Sequence, residues 1–211
     1  MAVPRKRRVV VTAGPTREHV DPVRYLSNES SGKMGFAIAE AAARAGCHVT
    51  LIAGPVHLET PKGVKRVNVQ SAREMLAAVR EAFTKADALF MAAAVADWRP
   101  KRRLAGKWRK KDGGTETATI ELVRNPDILA TVARKKGKRL VVGFALETGD
   151  GMRRAKAKLI RKNADYIVLN DASALSADKS SVTILSADGV VKELTGMTKA
   201  RIAKVLINTV S

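Results

Sequence analysis

The sequence predicts an α/β protein with a doubly wound, mostly parallel, Rossmann-like sheet and helices on both faces. Short apolar runs alternate with segments of helical periodicity along most of the 211 residues, and this alternation is typical of parallel strands joined by crossover helices. Hydrophobic residues make up 45% of the chain, which is a normal share for a globular core. No repeat or obvious linker divides the chain, so we expect one full-sized domain.

The first predicted elements are a strand and a helix. Arg8–Ala13 is an apolar run bounded by basic residues and Gly14, as expected for a buried strand. Apolar residues then recur at helical spacing between Met34 and Ala45. We expect Ser31 to cap this helix and Gly46 to end it.

The middle of the chain continues the alternation of predicted strands and helices. Ser71 and Glu74 have the spacing of a capping box, and the apolar stripe behind them predicts a helix. We expect strands around this helix over residues 48–53, 65–69 and 87–94.

Two turn signals in the second half of the chain predict a helix start and a hairpin. Asn125-Pro126-Asp127 predicts the start of a helix, with Asn125 as its cap. Asp188-Gly189 between two apolar runs predicts a C-terminal β-hairpin over about 181–194. The remaining expected elements are strands over 118–123, 140–144 and 165–169, and helices over 152–163 and from about 198 to the end.

The predicted organisation is a basic N-terminal arm over 1–7 and a single domain over 8–211, with a mobile basic flap over about 99–116. The apolar stretch after the arm is too short for a signal peptide, and no run is long enough to cross a bilayer. Cys47, the only cysteine, suits a reducing compartment. We therefore expect a cytoplasmic protein without a membrane partner.

The formal net charge is +19, which leaves two interpretations open. A basic nucleic-acid-binding protein would use such charge on phosphate backbones, and a pocket for small polyanions would use it locally. The basic residues are spread along the chain, and with only four Phe, two Trp and two Tyr the chain offers few surfaces for base stacking. Nucleic acid is thus not the expected partner.

The loop over residues 14–35 is the first candidate site, because ligands of doubly wound sheets bind at the carboxyl ends of strands. Gly14 is followed by Pro15 and Thr16, so the dinucleotide fingerprint of a nicotinamide-dependent reductase is missing. A Walker loop is also missing, because Met34 follows Lys33. Anions are nevertheless attracted to a helix start, where we place Ser30, Ser31, Gly32 and Lys33.

A series of motifs follows the strand ends along the chain. They are Thr12-Ala-Gly-Pro-Thr-Arg-Glu18, Asp21-Pro-Val-Arg-Tyr25, Ser27-Asn28, Ser30-Ser-Gly-Lys-Met-Gly35, Ala92-Ala-Ala-Val-Ala-Asp97, Asn125-Pro-Asp-Ile128, Gly143-Phe-Ala145, Glu147-Thr148 and Lys162-Asn163. In this order they resemble one family, the phosphopantothenate–cysteine ligases of bacterial coenzyme A synthesis, and the resemblance extends from about Arg8 to the C-terminus. A flavin-dependent decarboxylase often precedes the ligase in this family. No such module precedes this chain, so we expect the ligase alone, with a separate decarboxylase as a possible partner.

The resemblance implies a reaction in two steps. The carboxylate of 4'-phosphopantothenate attacks the α-phosphate of CTP and releases pyrophosphate, and the amine of L-cysteine then displaces CMP to form an amide. CTP is a co-substrate here, and Mg²⁺ is expected to be carried on its triphosphate. The histidines His19, His48 and His57 are scattered, so no protein metal site is predicted. The family is typically homodimeric, and we expect the hairpin to contribute to the contact.

The resemblance also assigns roles to individual residues. It gives the catalytic work to Asn28, which would donate to the acyl oxygen, to Arg24, which would bind a phosphate or the acyl-cytidylate, and to Lys107 of the flap. Arg109 replaces a lysine that is usual in the family's flap, and Met91 replaces a small residue. The expected nucleotide and phosphate contacts are Ser30, Ser31, Gly32, Lys33, Met91, Ala92, Ala93, Asp97, Val123, Arg124, Asn125, Pro126, Phe144, Lys158 and Lys162.

Overall fold

The structure is a computed structural model that describes residues 5–109, 116–147, 149–171 and 179–209. Part of the predicted arm (residues 1–4), part of the predicted flap (110–115), Thr148 of the last motifs and the last two residues lie outside the described residues.

The described residues form a mixed sheet of eight strands and two short two-stranded sheets. In the main sheet the order is β12-β11-β10-β9-β6-β1-β4-β5, with parallel pairing from β10 to β5 and an antiparallel hairpin at the other edge. The predicted fold class is therefore confirmed. The strands are β1 (Arg8–Ala13), β2 (Arg17–His19), β3 (Tyr25–Ser27), β4 (His48–Ala53), β5 (Val64–Asn68), β6 (Ala88–Met91), β7 (Trp98–Pro100), β8 (Leu122–Arg124), β9 (Leu140–Glu147), β10 (Tyr166–Asp171), β11 (Lys179–Ser186) and β12 (Gly189–Thr198).

Helices cover both faces of the main sheet and bury alternate residues of its strands. Val9 and Val11 of β1 face one core, whereas Val10 faces the other, as the two-residue period of a strand requires. The first core packs against α1 and α5, and the second packs against α2, α3 and α4. The helices are α1 (Lys33–Arg44), α2 (Ala72–Phe83), α3 (Ile128–Ala133), α4 (Gly151–Lys162) and α5 (Lys199–Thr209). No helix among the described residues is long and apolar enough to cross a membrane.

The strand order reverses beside β1, because β4 lies on one side of it and β6 on the other. The connections that leave β1 and β6 diverge to opposite faces of such a sheet, and a crevice opens between them at the carboxyl ends. This position is where a ligand is expected, and the loops that line it carry most of the motifs described above.

Two predicted helix caps are wrong. Gly32, not Ser31, is the N-cap of α1, and its φ of 76° is a left-handed conformation that glycine adopts without strain. Asp127, not Asn125, caps α3, because its carboxylate accepts the amide of Ala130 at 2.9 Å. The side chain of Asn125 instead donates to the carbonyl of Ala96 at 2.8 Å.

Two predicted strands are shorter than expected, and one hairpin was not predicted. The strand expected over 118–123 is only Leu122–Arg124, and the strand expected over 87–94 ends at Met91. The loop over 14–35 contains the hairpin of β2 and β3, which periodicity did not indicate because each strand has only three residues. In all three cases the backbone leaves the main sheet to build the edge of the crevice.

Candidate functional site

The loops after β1 and β6 run side by side and form the floor of the crevice. The amide of Ala94 donates to the carbonyl of Gly14 at 2.9 Å, and the amide of Thr16 donates to the carbonyl of Ala94 at 3.2 Å. The hydroxyl of Thr16 also accepts the amide of Ala96 at 3.0 Å. The parallel pairing of the two strands thus continues beyond the sheet, which fixes the position of residues that follow it.

Buried polar side chains of the first motif hold this floor in place. Thr12, Thr16, Glu18 and Asp21 are all at most 4% exposed. The carboxylate of Glu18 accepts the amide of Ala72 at the start of α2, at 2.8 Å, and the hydroxyl of Thr12 accepts the amide of Ala93 at 3.1 Å. These residues satisfy backbone groups that would otherwise be buried without partners, so their role is to shape the site.

Asn28 stands where the second hairpin strand meets the floor. Its Nδ2 donates to the carbonyl of Ala94 at 3.1 Å. The helix α1 begins five residues later, at Lys33, and comes very close to the end of β1. A Cβ added at Gly35 would lie 2.5 Å from Cβ of Ala13, so only glycine permits this approach of α1 to the sheet.

Two cavities open at the carboxyl ends of the strands. The first cavity, of about 460 Å³, lies beside α3 and α4. The second cavity, of about 500 Å³, lies beside the start of α1. Both have the size of small-molecule sites. They share Ala93, Val95, Asp97, Phe144 and Lys158 in their linings.

The structure brings most of the predicted site residues to these two cavities. The first cavity is lined by Met91, Ala93, Asp97, Arg124, Asn125, Pro126, Phe144, Lys158 and Lys162. The second cavity is lined by Asn28, Ser30, Ser31, Gly32, Lys33, Ala92, Ala93, Asp97, Phe144 and Lys158. The predicted anion-binding segment and the predicted nucleotide contacts therefore occupy adjoining spaces.

Lys158 is the cation at the junction of the cavities. Its Nζ donates to the carbonyl of Phe144 at 2.7 Å. Burial lowers the pKa of Lys158 below its ordinary value, although the carboxylates of Glu147 and Asp97 act in the opposite direction. A buried ammonium gains most from an anionic ligand, because the ligand replaces the lost hydration. One helical turn on, Lys162 is bonded to the carboxylate of Asp127.

Arg24, Lys107 and Val123 lie away from both cavities in the described part of the chain. Arg24 donates to the buried carboxylate of Asp21 at 2.6 Å and to the carbonyl of Trp108 at 2.9 Å. Lys107 lines a third cavity, with Val20, Leu104 and Ile120 among its other residues. Val123 pairs with Arg99 in the short β7–β8 sheet. These three predicted residues thus line neither of the two cavities, although Val123 directly precedes Arg124 of the first cavity.

Several residues that line the cavities carried no sequence signal. Asn170, Ser180 and Lys199 reach the second cavity from β10, β11 and the start of α5. Their positions depend on how the C-terminal hairpin packs against the sheet, which residue spacing does not reveal. Asp127 also lines the first cavity; it belongs to the Asn125-Pro-Asp-Ile128 motif, which predicts it only at the start of a helix.

Fold and site together define an α/β protein with a lysine-lined crevice at a topological switch point, which is the position where sheets of this kind bind ligands. The model of the family described as "DNA/pantothenate metabolism flavoprotein C-terminal domain" matches residues 5–211. The chain belongs to this family, and the family resemblance inferred from the motifs is confirmed.

Sequence relatives agree with this assignment. The chain is 54% identical over 168 residues to the "Coenzyme A biosynthesis bifunctional protein CoaBC" of Vibrio cholerae, and the match covers 79% of the chain and 42% of that protein. It is 47% identical over 198 residues to the CoaBC of Bacillus subtilis, which covers 92% of the chain and 48% of that protein. The chain thus spans less than half the length of these relatives.

Solved structures give the same fold. The C-terminal domain of a CoaBC protein aligns with a TM-score of 0.82 at 42% identity, covering 96% of the chain and 92% of that domain. A DNA/pantothenate metabolism flavoprotein from Streptococcus pneumoniae aligns with a TM-score of 0.83 at 24% identity, covering 97% of both chains. A Cab2 mutant, described as a complex with phosphopantothenate-cysteine, shares the fold with a TM-score of 0.78 at 17% identity, covering 97% of the chain and 85% of that protein.

Proposed function

We propose that the chain is a phosphopantothenate–cysteine ligase of coenzyme A synthesis that uses CTP. The observation that carries the proposal is the junction of the two cavities, where Lys158, Asp97 and Phe144 are shared by both linings. A ligase that activates one substrate with a nucleotide needs two such spaces in contact. Membership of the family and the names of its bifunctional relatives support the choice of substrates.

The first cavity is the proposed place of the nucleoside. Ala96, Asn125, Pro126 and Phe144 line it, and a lining of apolar residues with a few polar groups suits a planar base and a ribose. Lys162 would contact the nucleotide from one end of this cavity and Lys158 from the other. The phosphate chain then passes Lys158 and enters the second cavity.

In the proposed first step, a carboxylate oxygen of 4'-phosphopantothenate attacks the α-phosphorus of CTP. A new C(O)O–P bond forms, the bond to the bridging oxygen breaks, and pyrophosphate leaves with the electron pair. The protein's contribution is to place two polyanions together, for which Lys33 and Lys158 supply positive charge and the start of α1 supplies its dipole.

In the proposed second step, the amine of cysteine attacks the acyl carbon and CMP leaves. The amine must lose a proton, and negative charge develops on the acyl oxygen. The amide of Asn28 borders the second cavity and can donate to that oxygen, because a side-chain NH₂ group has two N–H donors and only one is needed for Ala94.

Magnesium, where it is carried on the triphosphate, would add charge neutralisation. The residues at the junction fit such an ion, since the Asp97 carboxylate lies there and Mg²⁺ prefers oxygen ligands from one or two carboxylates and phosphates. Asp97 would hold the metal–triphosphate complex at the junction.

Arg24 and Lys107 line neither cavity, so their proposed roles require their segments to move toward the second cavity when substrate binds. Arg24 is bonded to Asp21 and to the segment that carries Lys107, through the carbonyl of Trp108. A substitution of Arg24 would therefore also alter the position of the segment that carries Lys107. The homodimer, the cytoplasmic location and the separate decarboxylase stay predictions.

A thermal-shift comparison with CTP, ATP, NADPH and a short DNA duplex tests the class of ligand. A ligand that binds only the native state at a hundred times its Kd stabilises it by about 2.7 kcal/mol. We expect stabilisation by CTP. Stabilisation by DNA alone, with a steep salt dependence, would favour the nucleic-acid alternative, and stabilisation by NADPH alone would favour a reductase.

A further inference from the structure

Ser180 is an exception among the buried polar groups of the described residues. It is 4% exposed, and its Oγ is the one buried side-chain polar atom there that lacks a hydrogen-bond partner. Native structures satisfy nearly all such groups, so an exception needs a physical reason. Ser180 borders the second cavity, where a ligand atom could supply the missing partner.

The C-terminal hairpin places Ser180 at this end of the cavity. Ser180 pairs with Met197 of β12, and the register of the hairpin shifts between Ser180 and Val182. Two residues after Met197 the chain enters α5, whose start is fixed by the Thr198 hydroxyl, which accepts the amide of Arg201 at 3.3 Å. Lys199, the first residue of α5, lines the same cavity.

Two helices therefore begin at this cavity. The first residues of α1 and α5 both line it, and the two helices pack side by side through Ile38, Ile202 and Leu206 in one core. Helix N-termini carry partial positive charge and favour anions. Lys33 and Lys199 add two cationic side chains, and Asn170 adds an amide from the end of β10.

We propose that Ser180, Lys199 and the two helix N-termini form a subsite for the pyrophosphate portion of the nucleotide, meaning the β- and γ-phosphates. The Ser180 hydroxyl would donate to a phosphate oxygen and the Lys199 ammonium would pair with its charge. This inference rests on the proposed function, because that function identifies the anion as the leaving group of the first step.

The arrangement of the crevice favours the leaving group over the phosphate of phosphopantothenate. In phosphoryl transfer the attacking and leaving oxygens lie in line on opposite sides of the phosphorus. The acyl group is assigned to Asn28, which borders the second cavity beside Ala94, and the nucleoside to the first cavity. The leaving phosphates must then point into the rest of the second cavity, where a group with several negative charges meets Lys33 and Lys199.

Titration calorimetry with inorganic pyrophosphate tests the subsite without requiring turnover. Ser180→Ala removes only the hydroxyl, and we expect its affinity for pyrophosphate and for CTP to fall about tenfold, since hydrogen bonds to charged groups are among the stronger ones. Affinity for CMP should stay unchanged, because CMP lacks these phosphates. Since the hydroxyl has no partner in the described protein, Ser180→Ala should unfold at the same temperature as the wild type or higher.

Ser181→Ala is the matched control for the serine. Its Oγ accepts the amide of Gly196 at 3.1 Å, so it has a structural bond but does not line the second cavity. Ser181→Ala should bind pyrophosphate as the wild type does. For the lysine, Lys199→Gln should weaken pyrophosphate binding, whereas Lys204→Gln, on an exposed position of the same helix, should not.

Two results would overturn the subsite. One is equal pyrophosphate affinity in the wild type and Ser180→Ala, and the other is a loss of phosphopantothenate binding in Ser180→Ala while CTP binding stays intact. Either result would refute the subsite only, and the proposed function would still hold if the wild type makes the amide. Conversely, Ser180-dependent pyrophosphate binding in a protein that never makes the amide would refute the ligase and retain an anion site.

Discussion

The side-chain amide of Asn28 donates to the carbonyl oxygen of Ala94 at 3.1 Å and joins the loop after β3 to the loop after β6. Both loops border the second cavity. One N–H of Asn28 is thus committed to the floor of the crevice, and the rigid floor orients the other. A preorganised donor of this kind stabilises charge that develops in a transition state without needing to reorient.

Asn28→Asp is predicted to separate the two steps of the reaction. The carboxylate cannot donate to the acyl oxygen, so amide formation should slow by about 10²–10³-fold, as for loss of one oxyanion donor. Pyrophosphate release should continue, because that step develops charge at phosphorus. Single-turnover measurement of pyrophosphate and amide in the same samples checks this.

The control for Asn28 is Asn68→Asp, which makes the same change at an exposed position whose side chain accepts a hydrogen bond from Arg66. This variant should keep both steps. If Asn28→Asp slows pyrophosphate release and amide formation equally, Asn28 has a binding or folding role instead.

Lys158→Gln is predicted to weaken CTP binding by tenfold or more. The ammonium lies at the junction of the two cavities, and its charge-assisted contact with phosphate would be lost. Lys156→Gln, an exposed position on the same helix, is the matched control and should bind CTP normally.

The pH dependence of CTP binding gives an independent check on Lys158. Burial lowers its pKa in the free protein, so it loses its proton at a lower pH than an ordinary lysine, whose pKa is about 10.4. Wild-type affinity for CTP should therefore fall as the pH rises toward that value, and affinity in Lys158→Gln should fall less. Parallel pH profiles for both proteins would contradict this role.

Asp21 is predicted to make stability sensitive to acid. Burial alone would raise the pKa of this carboxyl, but hydrogen bonds from the amides of Arg24, Val23 and Trp108 and from the Arg24 guanidinium hold its pKa well below its usual range. A carboxyl with a lowered pKa in the folded state stabilises it above the unfolded pKa of about 3.9 and loses this contribution as the pH falls toward the folded pKa.

Urea unfolding of Asp21→Asn from neutral pH down to about pH 3 tests this, because that range includes the unfolded pKa. The variant should be less stable at neutral pH, and the difference from the wild type should shrink below about pH 4. Asp188→Asn, in the exposed hairpin turn, should show little difference at any pH. A difference for Asp21→Asn that stays constant down to pH 3 would refute the prediction.

Gly35→Ala is predicted to displace the start of α1. The added Cβ would lie 2.7 Å from the carbonyl oxygen of Thr12 and 2.5 Å from Cβ of Ala13, and overpacking of this kind costs about 1–3 kcal/mol. Chemical unfolding measures the loss, and pyrophosphate titration measures the damage to the anion site. Gly106→Ala is the control, since a Cβ there meets nothing within 4 Å; equal effects of the two changes would contradict close packing at Gly35.

The main sheet could be predicted from the sequence because its strands are apolar runs and its helices have regular faces. β1 and β4 have the bounds that the apolar pattern indicates. The short strands β2, β3 and β7 could not be predicted, since three residues show no period, and β8 was predicted only with the wrong bounds. Their formation depends on contacts with the crevice floor.

The candidate site was partly predictable for a similar physical reason. Residues directly after strands of the main sheet, such as Ala92 and Ala93 after β6, reach the crevice because the carboxyl ends of parallel strands lie there. The engagement of Arg24 by Asp21 was not predictable, because it depends on the turn between β2 and β3. The contribution of Ser180 was hidden as well, since a serine in a strand gives no sign that its hydroxyl lacks a partner.

The most direct test of the ligase is a two-stage assay on the purified chain. With CTP and 4'-phosphopantothenate together, and with neither alone, the chain should release pyrophosphate. Addition of L-cysteine should then yield CMP and 4'-phosphopantothenoylcysteine in equal amounts. Failure to release pyrophosphate or form the amide with CTP, or with any other nucleoside triphosphate, would contradict the proposed function.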